Sequence, residues 1–148
     1  MPTYQAPTAD WQFLLHDVLR IQDHAQLPGF ADLAPEFTGQ VLDAAATFHQ
    51  EVLHPLNMAG DAEGARMVDG QVRTPSGFID AWKAYREAGW HRLSLPESLG
   101  GAGLPPVMGV PVSELRAATG HSFSMYSSFR APTASMLSKL APDWVRTH

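Results

Sequence analysis

The chain has 148 residues, enough for one domain with its own core, and 45% of them are hydrophobic. A formal charge of −5, with no basic run of five or more, excludes a nucleic-acid surface and disfavours an anionic membrane surface, because phosphate binding needs clustered Lys and Arg. Without cysteine there is no disulfide, thiolate metal site or Cys nucleophile. The opening MPTYQAPTAD lacks a basic region and an apolar stretch, and no apolar run reaches transmembrane length. The expected location is therefore the cytoplasm, without membrane insertion.

Pro2 to Pro7 reads as an extended lead-in. Asp10 is placed to cap a helix whose apolar face is Trp11, Leu14, Leu15, Val18 and Leu19. Pro28-Gly29 breaks the chain. Thr38 is expected to cap a second helix, with Val41, Leu42, Ala45, Phe48, Val52 and Leu53 on one face and Pro55 stopping it. NMAGDAEGA reads as a loop. In RMVDGQVR, Asp69-Gly70 separates two short β-prone runs and predicts a small hairpin near residues 66–73.

Thr74-Pro75 is expected to open a third helix carrying Phe78, Ala81, Trp82 and Tyr85 on one side. Gly89 ends it in the position favoured for a left-handed cap. LPESLGGAGLP, residues 95–105, follows. Pro105 can then start a helix with Leu104, Met108, Val112 and Leu115, and Pro111 predicts a kink or a late start. Ser122 to Leu140 reads as helix interrupted at Pro132. The sum is a mainly α fold with one hairpin.

The glycine loop is not a dinucleotide fingerprint. The third glycine is missing, since position 106 is Pro, and only Leu93-Ser94-Leu95 stands where a strand should precede it. Without Gly-Lys-Ser/Thr it is not a P-loop either, so the local reading is a structural turn. Glu51-x-x-His54 has the spacing of helix-bundle di-iron sites, but those need a second such motif and two further Glu residues. The other histidines show no metal-site spacing, no Gly-x-Ser-x-Gly elbow marks a serine, and Glu114 is expected at the surface or in a structural hydrogen bond. Taken bottom-up, the residues identify no catalytic constellation.

The stretch AGWHRLSLPESLGGAGLPPVMGVPVSEL resembles the N-terminal helical domain of acyl-CoA dehydrogenases. The matching residues are Gly89, Trp90, Pro96, Glu97, Gly100, Gly101, Gly103, Leu104, Pro105 and Glu114. EVLHPLNMAGDAEGARMVDGQVRTPSGFIDAWKAYREAGW is similar to the same domain's second helix, loop, hairpin and third helix. YQAPTADWQFLLHDVL and FSMY at 123–126 resemble the bacterial subgroup of methylmercaptopropionyl-CoA dehydrogenase-like enzymes. The expected organisation is an N-terminal extension with one helix over 1–34. A family-like helical domain follows over 35–148, incomplete or divergent after about 127, where Arg130, Pro132 and APDWVRTH depart from the family pattern.

The resemblance implies flavoprotein oxidoreductase chemistry in fatty acid metabolism: α,β-dehydrogenation of an acyl-CoA thioester, FAD as cofactor and an electron-transfer flavoprotein as acceptor. In the family most of the FAD site and the catalytic Glu lie in a β-domain and a C-terminal bundle. The chain alone is therefore expected to carry no catalytic residue and not to hold FAD. The resemblance places Phe123, Ser124, Tyr126 and Ser127 at the acyl-chain pocket. It also implies an apolar face that would drive self-association or binding to a paralogous chain, which is the alternative reading as a helical interaction module.

Overall fold

A computed structural model describes residues 3–142 and 144, with only the backbone at 130 and 131. The ends of the sequence, Pro2 and much of the divergent APDWVRTH included, lie outside the described residues. Among the described residues, seven α-helices and one two-stranded sheet follow in chain order. They are α1 Thr8–Phe13, α2 Pro35–Phe48, α3 Asn57–Glu63, β1 Arg66–Val68, β2 Gln71–Arg73, α4 Phe78–Glu87, α5 Pro106–Thr119, α6 His121–Ser127 and α7 Arg130–Leu140. This is the expected architecture of an all-helical domain with one hairpin.

The helix starts differ from the sequence expectation, for identifiable reasons. α1 begins at Thr8, so Asp10 sits in the first turn, where a carboxylate favours the positive end of the helix dipole. α2 begins at Pro35 rather than at a Thr38 cap. Thr38 is fully buried one turn inside, bonded to His16 Nε2 at 2.6 Å and to the Pro35 carbonyl at 3.1 Å. A tertiary contact claims the hydroxyl that would otherwise cap. α4 begins at Phe78, because Gly77 adopts the left-handed conformation and makes a turn of residues 75–78.

NMAGDAEGA is not a loop at its start: residues 57–63 form α3. Gly60 carries the contact that overrides its poor helix propensity. A Cβ there would lie 2.8 Å from the Phe78 ring and 2.7 Å from the Ser122 hydroxyl, so α3 approaches α4 and α6 more closely than any side chain permits. α5 starts at Pro106 and runs on through a buried Pro111, so no late start occurs. Pro132 interrupts less than expected, since it falls in the first turn of α7, where its missing N–H costs no helical bond.

Two helices pass into π-helical turns, α1 at Leu14–Val18 and α2 at His49–Leu53. The hairpin pairs Arg66 with Arg73, Met67 with Val72 and Val68 with Gln71. Asp69 and Gly70 both have positive φ, as the tight turn requires.

The core has three contiguous parts. Leu15, Ile21, Leu33, Leu42 and Met108 join the N-terminal segment to α2 and α5. Ala45, Ala46, Val112 and Leu115 seal α2 on α5. Leu53, Phe78, Ala81, Tyr85 and Phe123 pack α4 against α6 and the end of α2. This last part forms the wall of the candidate site.

Candidate acyl-binding site

The apolar face of α4 and that of α6 meet without closing. Between them lies a groove of about 280 Å³ lined by Thr74, Phe78, Ile79, Trp82, Phe123 and Tyr126. The rings pack edge to face: Phe78 meets Phe123 at 5.6 Å and Tyr126 at 5.7 Å, and Tyr85 meets Phe123 at 5.9 Å. Such pairs fix ring orientation, so the wall is preformed. The floor is buried Phe78 and Phe123, whereas Ile79 is 64% exposed and Tyr126 48% exposed at the rim. The lining offers two hydroxyls, from Thr74 and Tyr126, and no carboxylate.

The four residues assigned from the sequence divide. Phe123 and Tyr126 lie side by side in the groove. Ser124 and Ser127 are buried, with hydroxyls donating to the helix carbonyls of His121 at 2.7 Å and Ser124 at 3.1 Å. Ser127 faces a separate cleft shared with Trp90, Ser94, Arg116 and Ser128. Thr74, Ile79 and Trp82 carried no site signal in the sequence reading. An apolar Ile79 off the buried face of α4 was the available clue.

Behind the groove sits a polar group that sequence reading passed over. Arg116 Nη1 donates to the Tyr85 hydroxyl at 2.9 Å. His49, wholly buried, lies in the adjoining shell, its ring 6.0 Å from Trp90. Its Nδ1 is 2.6 Å from the Ala45 carbonyl, which can only accept, so Nδ1 carries the proton. Burial pulls the His49 pKa down to about 4; the bond to Ala45 opposes this and the Arg116 charge adds to it. His49 is thus a neutral core residue. Tyr4, packed near Glu114, titrates above its ordinary value, first through burial and then through the Glu114 charge.

The glycine loop spends its own donors. Five consecutive amides bond inward: Gly100 to Glu97 (2.8 Å), Gly101 to Pro96 (3.0 Å), Ala102 to Arg92 (3.1 Å), Gly103 to Leu95 (2.9 Å) and Leu104 to Leu93 (3.2 Å). None of the amides from Gly100 to Leu104 is left to cradle a phosphate, so this part of the loop works as a structural turn. At Gly101 a Cβ would run into the Leu95 carbonyl oxygen, so only glycine fits. Glu51 is exposed, and the His54 ring lies tilted against that of Tyr4, with centroids 5.9 Å apart. Among the described residues no three His, Asp or Glu side chains converge. No helix among them is long and apolar enough to cross a membrane.

A helical domain with one hairpin, an inward-bonded glycine corner and an aromatic groove between α4 and α6 now has a family. The sequence model described as acyl-CoA dehydrogenase, N-terminal domain, matches residues 36–147, and the chain belongs to that family. It is 32% identical over 123 residues to the 3-methylmercaptopropionyl-CoA dehydrogenase of Ruegeria pomeroyi. That match covers 83% of this chain and 21% of the relative, so the chain spans about a fifth of its length.

Proposed function

We propose that this chain supplies the acyl-binding wall of a FAD-dependent acyl-CoA dehydrogenase acting on a thioester in the cytoplasm. The observation that carries the reading is the preformed aromatic groove, with Phe123 and Tyr126 on α6 opposite Phe78 and Trp82 on α4. Such a wall excludes water from an acyl chain and orients it, which is the protein's share of the reaction. The intact enzyme removes an α-proton with a carboxylate and yields the trans-2-enoyl thioester. FAD, where bound, would supply the hydride-acceptor chemistry, with an electron-transfer flavoprotein as the electron acceptor. The groove lining holds no carboxylate, so the base comes from outside it. The five amides from Gly100 to Leu104 are spent within the glycine corner, which supports a flavin site outside it. By this reading the chain alone is catalytically incomplete.

The test is tryptophan fluorescence on titration with octanoyl-CoA, followed by FAD addition, desalting and a visible spectrum. Saturable binding, lost in Ile79→Asp, with a colourless desalted protein is the expected result. Absence of binding sinks the groove assignment, and retained flavin colour bleached by acyl-CoA overturns the incompleteness.

A second reading, an interaction module for itself or a paralogous chain, is favoured by one observation. Phe129, Met136, Leu137 and Leu140 at α7 are all exposed, Leu140 at 79%. Contiguous apolar surface of this kind marks contact sites. Sedimentation as a concentration-independent monomer would count against it.

A further inference from the structure

The hairpin sets two arginines directly opposite each other. Arg66 and Arg73 are register partners, a position where Cβ atoms stand about 5 Å apart and like charges repel. Alternation along the strands puts Arg66, Val68 and Arg73 on one face, and that face lines a cleft of about 200 Å³ with Glu63, Gly64 and Thr74. Arg66 uses Nε on the Glu63 carbonyl at 2.7 Å. Arg73 makes no ion pair or side-chain hydrogen bond among the described residues. The Glu63 carboxylate, the one acid on the lining, turns Oε2 to the Ser76 amide at 2.7 Å. The cleft keeps a net positive charge.

This cleft and the apolar groove share Thr74 in their linings. We propose that Arg66 and Arg73 form an anion clamp at the end of the groove, taking phosphate from a ligand whose apolar part lies between α4 and α6. A coenzyme A thioester supplies both parts; this assignment rests on the acyl-binding reading above. Two guanidinium forks facing one opening suit a phosphate, which accepts several charge-assisted bonds at once. An anion between them also relieves the repulsion that the register builds in.

The test uses the full chain and the R66Q/R73Q double variant, titrated with octanoyl-CoA, S-octanoyl-pantetheine and pyrophosphate. The native chain is expected to bind octanoyl-CoA about tenfold more tightly than S-octanoyl-pantetheine, and the variant to bind the two alike. Both arginines are exposed, so the variant folds, and thermal melting should match or exceed the native value. An octanoyl-CoA affinity unchanged in the variant overturns the clamp. Pyrophosphate binding that the variant loses, with neither acyl ligand bound, upholds the clamp and removes the acyl reading. A native chain that binds none of the three probes overturns the clamp.

Discussion

Arg116 reaches from α5 to α4 to donate from Nη1 to the Tyr85 hydroxyl at 2.9 Å, and Tyr85 in turn backs the ring of Phe123 at 5.9 Å. The phenol is wholly buried while its oxygen accepts from the Arg116 guanidinium, so a single residue serves both the apolar wall and the polar layer behind it. Tyr85→Phe keeps the ring and removes the acceptor. We expect a loss of about 1.5 kcal/mol in urea unfolding, typical of a bond to a charged group, with Phe123 packing retained.

Stability should fall on mild acidification. The His49 pKa lies at about 4 in the fold and near 6.5 unfolded, so the unfolded chain binds the proton first. The contribution is fully present above about pH 6.5 and drains away as pH falls towards 4, on the order of 3 kcal/mol in all. Urea midpoints across that window check this. His49→Gln should flatten the slope and lower stability at neutral pH, and a slope unchanged in the variant would contradict the assignment.

The glycine corner is graded. Gly101→Ala drives a methyl into the Leu95 carbonyl, and a loss of about 3 kcal/mol or a failure to fold is expected. Gly100→Ala meets open space and suffers only from its positive φ of 73°, a cost of about 1 kcal/mol. Parallel thermal melts should rank the two in that order.

The groove separates binding from stability. Phe123→Ala empties a buried site and should cost about 3 to 4 kcal/mol. Ile79→Ala trims an exposed rim residue, so its unfolding should stay within about 0.5 kcal/mol of native while octanoyl-CoA affinity weakens. An Ile79→Ala variant with native affinity would remove this residue from the site.

Much of this fold is written locally. Asp69-Gly70 specifies the hairpin because both positions need positive φ, and Gly89 ends α4 for the same reason. The periodic faces of α2 and α4 carry through to the core. What local pattern leaves out is contact across the fold. Thr38 has cap chemistry, but His16 takes its hydroxyl; NMAGDAEGA reads as a loop, yet its start is helical where Gly60 lets α3 approach Phe78 closely. Of the groove lining, Phe123 and Tyr126 are residues that the resemblance singles out. Thr74, Ile79 and Trp82 are not, because a groove between two helices is a property of their packing. Arg66 and Arg73 were visible as residues, but only the strand register sets them opposite.

The corner at residues 92–104 has a consequence for solution behaviour. Three glycines in LGGAG would ordinarily make a stretch pliable and open to proteases. Its amides from Gly100 to Leu104 are nevertheless all donated within the corner. Their protons should exchange with deuterated solvent at rates typical of a short helix, and the peptide bonds there should resist nicking until the whole domain opens.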